Sequence, residues 1–178
     1  MNRCQLEHVI RAAAGNADAP DIIILGSQAI LGSFPDAPEE LLVSAEADVF
    51  PRDRPGDAIL IDGAIGERSL FHETFGYYAH GVGESTAVLP VGWRGRLVPI
   101  RNENTRGATG WCLEPHDLAV SKLVAGREKD LEYVGALFRH GMISADTIGR
   151  RLEETEFESG AAKDLALARM RRLAAQSG

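Results

Sequence analysis

The sequence predicts a mixed α/β fold of the α+β class that ends in a helical region, and three features carry that reading. The run Asp21-Ile22-Ile23-Ile24-Leu25 is β-branched, apolar on both faces and stopped by Gly26, as expected of a strand covered on both sides. Leu41 to Pro51 alternates with a period of two, the pattern of a half-buried strand. From Pro115 the apolar spacing becomes helical, through Leu118, Lys122 and Ala125 and then Leu131, Val134, Leu137 and Phe138.

The remaining elements follow in order. Leu6, Val9, Ile10 and Ala13 recur at helical spacing, so residues 3–14 are expected to form an amphipathic helix that stops at Gly15-Asn16. Ser27 can cap a short helix through Ala29, Ile30 and Leu31 that ends at Gly32 and the Pro35/Pro38 loop. In the alternating segment, Leu42, Ser44, Glu46 and Asp48 share one face, and Val43, Ala45, Ala47 and Val49 share the other. Residues 57–65 read as a helix through Ala58, Ile61 and Ile65. Short strands are expected at Tyr77 to His80, Thr86 to Leu89 and Leu97 to Arg101. Beyond the stop at His140-Gly141, Ser144 and Asp146 open another helix, and residues 160–175 are rich in helix formers. The expected organisation is an α/β core over residues 1–110 with a helical region over 111–178 packed on it, in one cooperative unit.

Bulk properties narrow the function classes. The net charge is −7, and residues 1–90 hold 5 Lys/Arg against 14 Asp/Glu whereas residues 91–178 hold 14 against 12. That balance argues against general nucleic-acid binding, which draws on a basic surface. One local basic stretch remains, Arg94, Arg96, Arg101 and Arg106 with Glu103 as counter-charge. No segment reaches the roughly 20 apolar residues of a membrane span, and the N-terminus lacks a secretory pattern, so a cytoplasmic protein without membrane contact is expected. Cys4 and Cys112 form neither a disulfide framework nor a zinc motif.

The candidate site lies at the first two strands. Gly26-Ser27 stands where a buried strand gives way to a helix, a position where backbone N–H groups and a hydroxyl can receive a phosphate. Gly and Ser are also the ordinary residues of a turn and an N-cap. Glu46 and Asp48, two apart on a strand, project to one side and can share a divalent cation. The other reading of that pair is a solvated sheet face. His72-Glu73 has no second ligand at helical spacing, and Trp93, Trp111, Tyr77 and Tyr78 read as packing residues at strand ends.

Gly26-Ser27, the pair Glu46-Ala47-Asp48, and Leu113-Glu114-Pro115-His116-Asp117-Leu118 with Lys122, Arg127 and Lys129-Asp130 resemble the nucleotidyltransferase-fold proteins related to abortive-infection toxins, within the polymerase-beta-like superfamily. The resemblance implies a small mixed sheet flanked by helices, two divalent metals (Mg2+ or Mn2+), and transfer of a nucleoside monophosphate from a nucleoside triphosphate to an RNA or protein acceptor. It implies that Gly26 and Ser27 hold the triphosphate and that Glu46 and Asp48 hold metal and are catalytic. It further implies that Lys122 and Lys129 neutralise phosphate charge, and their spacing of seven would set both on one helical face. A toxin–antitoxin or defence role follows from the same resemblance, with an antitoxin-like partner; a separate reading of the helical tail is a dimerisation protein whose residues 144–175 mediate self-assembly.

The sequence departs from that pattern in three places. Glu46 stands where Asp is commoner, the gap from Ser27 to Glu46 is long, and no third acid is visible. Leu97-Val98-Pro99-Ile100 carries none, and Glu84 is expected in a turn. Without a third acid the general base for the acceptor is missing. The alternative is therefore a catalytically degenerate nucleotidyltransferase fold acting as a nucleotide-binding or protein-interaction module.

Overall fold

The computed structural model describes residues 1–176. The chain divides into two units, the first built from Met1–Thr86 and Leu97–Leu113, the second from Ala87–Arg96 and the chain from Glu114 onward.

The first unit opens with α1 (Arg3–Ala17). Asn2 and Gln5 close a reciprocal capping box, Gln5 N–H donating to the Asn2 side chain at 3.0 Å and Asn2 N–H to the Gln5 side chain at 2.8 Å. Leu6, Val9, Ile10 and Ala13 are fully buried, as their spacing predicts. The helix runs through Gly15-Asn16, where a stop was expected, and ends at Asp18 in the left-handed conformation (φ 45°). Asn16 turns its amide back to donate to Ala12 O at 2.8 Å and so stays within the helix.

Strands β1 (Asp21–Ile24), β2 (Glu46–Pro51), β3 (Tyr78–Gly81), β4 (Val98–Ile100) and β5 (Thr109–Cys112) form one mixed sheet in the order β3-β2-β1-β5-β4. β1 runs antiparallel to β2 and parallel to β5, and β2 runs parallel to β3. Ile22, Ile23 and Ile24 are all fully buried, which is the strand covered on both faces that the sequence predicts. α1 packs on β1, β2, β3 and β5. α2 (Ile30–Ser33) packs on β4 and β5, and α3 (Ala58–Ile65) on β2 and β3, where a short α4 (Leu70–Phe75) adjoins it.

Two strand expectations are corrected. The second strand begins at Glu46 rather than Leu41, because Glu39–Leu41 is a 3-10 turn and Val43 is exposed. The segment 86–89 is not a strand, and the fifth strand is instead Thr109–Cys112. Strand propensity disfavours glycine at Gly110. Packing requires it there, because a Cβ would stand 2.3 Å from Ile10 Cδ1.

The second unit is helical: α5 (Pro115–Ala125), α6 (Glu128–Arg139), α7 (Ala145–Glu153) and α8 (Gly160–Ala175). Glu114 caps α5 by accepting from His116 N–H at 3.1 Å and Asp117 N–H at 3.3 Å. Ser144 caps α7, as the sequence suggests. His116 Nε2 accepts from Ser144 N–H at 3.1 Å, so its proton lies on Nδ1, which meets Glu114 Oε1 at 2.6 Å. Asp117 is fully buried, held by Arg96 in a two-point contact at 2.8 and 3.1 Å and approached by Arg151 at 3.4 Å. Among the described residues no helix is long and apolar enough to cross a membrane. Cys4 and Cys112 are both free thiols.

Candidate functional site

β1 ends in a turn at Gly26, and the chain continues as a 3-10 turn, Ser27–Ala29, that runs into α2. Ser27 is the first residue of that turn, and Gly26, not Ser27, holds the N-cap position. The backbone of Gly26 is extended (φ −72°, ψ −168°), so its conformation does not require glycine. Space does. A Cβ on Gly26 would stand 2.1 Å from Asp48 Oδ2 and 2.9 Å from its Cγ. The Gly-Ser turn and the acidic strand, remote in sequence, are thus in direct contact, and Leu25 N–H donates to Asp48 O at 3.0 Å to fix that approach.

On β2 the period-two pattern holds where it matters. Ala47 and Val49 are fully buried, whereas Glu46 and Asp48 are half-buried on the opposite face. The parallel register with β3 sets Glu46 beside Tyr78 and Asp48 beside His80. The Tyr78 hydroxyl donates to Glu46 Oε2 at 2.6 Å. His80 Nδ1 lies 3.3 Å from Asp48 Oδ1 and 3.6 Å from Glu46 Oε1. Among the described residues these three, Glu46, Asp48 and His80, form a cluster whose ligand atoms all lie within 4.8 Å of one another.

The electrostatics follow from that crowding. Burial and then the neighbouring Glu46 push the Asp48 carboxyl up to about 6, against the opposing pull of His80. Tyr78 is also raised, first by its hydrogen bond to Glu46 and then by burial, so its hydroxyl stays protonated and can donate. Two carboxylates that resist simultaneous ionisation, with an imidazole beside them, are the donor chemistry of a divalent-cation site. The residues present fit such an ion, since a cation would relieve the repulsion that raises Asp48.

Tyr78 and His80 were not singled out as site residues by the sequence. Their signal was present as a period-two pair in a predicted strand, but the register that brings them to β2 is not local.

Lys122 and Lys129 belong to the second unit, and they do not share a helix. Gly126 adopts the left-handed conformation (φ 64°) that terminates α5, and α6 starts afresh at Glu128. Lys122 Nζ donates to the buried Asp130 at 3.1 Å and lies over the Tyr133 ring at 4.6 Å. Arg127 Nε donates to the same carboxylate at 2.6 Å. Lys129 is exposed in the first turn of α6. The Arg127 to Asp130 run is thus in part a charge lock on Asp130.

The other candidates have packing roles. His72 Nδ1 accepts from Arg68 N–H at 3.1 Å and its ring lies against Tyr78 at 4.5 Å. Trp111 Nε1 donates to Asp21 at 2.6 Å beneath the Arg52 guanidinium, and Tyr77 bonds His8 at 2.8 Å.

A family model described as nucleotidyltransferase of unknown function (DUF6036) matches residues 4–173. The chain belongs to this nucleotidyltransferase family. The match covers both units of the chain and agrees with the broader part of the resemblance, though it does not extend to the abortive-infection group. No curated protein and no solved structure matches the chain.

Proposed function

We propose that this chain is a metal-dependent nucleotidyltransferase that moves a nucleoside monophosphate from a nucleoside triphosphate to an RNA or protein acceptor. The observation that carries the reading is the contact of Gly26 with Asp48, which joins the phosphate-type turn to the acidic pair. In this reading Gly26 and Ser27 receive the triphosphate, and Glu46 and Asp48 hold a divalent cation, Mg2+ or Mn2+. When bound, the cation supplies charge neutralisation on the phosphates. The acidic pair would hold the ion at the start of β2, and the Gly26 turn limits how far the Asp48 carboxylate can move. Tyr78 holds the Glu46 carboxylate in one orientation through its Oε2.

The biological setting that fits is a toxin–antitoxin or defence system, with the acceptor on a partner or on RNA. Label transfer from radiolabelled nucleoside triphosphates to a total RNA or protein extract, in the presence of Mg2+ or Mn2+, tests the activity. Transfer that disappears with Glu46→Ala and with Asp48→Ala is the expected result, and transfer unchanged by both refutes the assignment.

The absence of a further Asp or Glu from the cluster, among the described residues, favours one second reading. This is a degenerate site that binds nucleotide without transferring it. Label transfer distinguishes the two, since both bind triphosphate with metal in calorimetry while transfer by the degenerate site stays at background.

A further inference from the structure

We propose that His80 is a third ligand to the divalent ion held by Glu46 and Asp48, and that its imidazole shifts the site's preference from Mg2+ toward first-row transition ions such as Mn2+. This rests on the reading that the acidic pair holds a metal. It adds a residue that neither the sequence motifs nor the family description assigns.

Geometry is the first support. Two donors about 2.1 Å from a shared ion and at right angles to each other stand about 3 Å apart. His80 Nδ1 lies 3.3 Å from Asp48 Oδ1 and 3.6 Å from Glu46 Oε1, close to the edges of such a polyhedron.

The second support is that the surroundings aim these atoms at each other. Tyr78 occupies Glu46 Oε2, which leaves Oε1 as the oxygen turned toward His80. Partners of this kind orient metal ligands and are as much a part of a site as the ligands themselves. The strand carrying His80 is pinned from the other side. Gly81 N–H donates to Asp62 Oδ1 of α3 at 3.2 Å, and a Cβ at Gly81 would stand 2.1 Å from Ala58 O. β3 therefore packs closely against α3 at Gly81. The His80 side chain is nevertheless 52% exposed, so solvent and phosphate oxygens have access to the remaining coordination positions.

Charge and ligand chemistry give the third support. Two carboxylates with an imidazole donor beside them carry the charge that a single divalent ion balances. Oxygen donors suit Mg2+ and Mn2+ alike, whereas an imidazole nitrogen adds affinity for first-row transition ions over Mg2+, least for Mn2+ and more for the ions after it in the series. Replacing a carboxylate by histidine at this corner changes which ion is held while leaving the acidic pair in place.

The test titrates Mn2+ into the full-length protein, following free Mn2+ by electron paramagnetic resonance, with Mg2+ as competitor. Pulsed resonance then reads nitrogen coupling to the bound ion. Wild type is compared with His80→Ala, His80→Asp and Asp48→Ala. We expect wild type to hold Mn2+ at least about tenfold tighter than Mg2+ and to show nitrogen coupling. His80→Ala should abolish the coupling and weaken Mn2+ by about tenfold or more, while Mg2+ changes by less than about threefold. Retained Mg2+ binding shows that the variant is folded. His80→Asp, with an all-oxygen set, should narrow the gap between the two ions. Asp48-dependent Mn2+ binding without nitrogen coupling, or an equal loss of both ions in His80→Ala, overturns the role of His80 alone. Binding of neither ion, or binding that survives Asp48→Ala, overturns the metal site and this inference together.

Discussion

Alanine at position 26 separates the spatial role of this glycine from its conformational role. The added carbon would stand 2.1 Å from Asp48 Oδ2, 2.9 Å from Cγ and 3.2 Å from Cβ. An ordinary carbon–oxygen contact is more than 3 Å, so the Asp48 carboxylate must retreat by about 1 Å, and disturbing the groups that orient a metal's ligands is worth about ten- to a hundredfold in metal affinity. The backbone itself is comfortable for alanine, as φ −72° and ψ −168° are extended. The stability cost is therefore only that of local overpacking, about 1–3 kcal/mol. Gly26→Ala should remain folded in urea titrations yet lose tenfold or more, in the range of about ten to a hundredfold, in calorimetric binding of Mg2+ with triphosphate. Binding within about twofold of wild type would refute the claim that Gly26 clears space for Asp48.

Three other outcomes are expected. Glu7 is buried, which pushes its carboxyl up, but Asn104, Arg3 and Asn102 outweigh this and hold it below 4.5; its stabilisation is full above that value and fades as pH falls through the lower folded value. Wild type should thus lose more stability than Glu7→Gln between about pH 6 and about pH 3 in denaturant titrations, and a parallel decline would contradict it. Asp117→Ala leaves Arg96 and Arg151 facing a buried gap and should cost about 3–5 kcal/mol in thermal or urea unfolding; a cost below about 1 kcal/mol would mean the contacts carry little. Lys129→Ala, on an exposed turn, should change stability by less than about 0.5 kcal/mol, whereas Asp130→Ala, which strips a buried carboxylate from Lys122 and Arg127, should cost about 3 kcal/mol or more by the same measurement.

The residues that were legible in the sequence are those whose signal is local. The Ile22-Ile23-Ile24 run announces a strand covered on both faces, Leu6 to Ala13 announces a helix, and the alternation around Glu46 to Val49 places the acids on one face. Gly110 misleads because its reason is a contact with Ile10, a residue 100 positions away in sequence. Gly15 misleads in the other direction, since a glycine with open space around it is tolerated inside α1. The Lys122 to Lys129 spacing fails because Gly126 breaks the helix between them. His80 reaches Asp48 only through the parallel pairing of β2 and β3, two strands joined through α3 and α4 rather than by a local turn. The acidic pair was therefore visible, and the side chains that complete its surroundings were not.

Position 80 lies on β3, the outermost strand of the sheet on the β2 side. An outer strand has one neighbour, so a change of side chain there disturbs only the β2 pairing and not the β1 and β5 pairings at the centre. The side chain at this corner is thus the member of the cluster that substitution can vary with least disturbance to the sheet, and the narrowed ion preference expected of His80→Asp requires one codon at the rim while Glu46 and Asp48 stay on the inner strand β2.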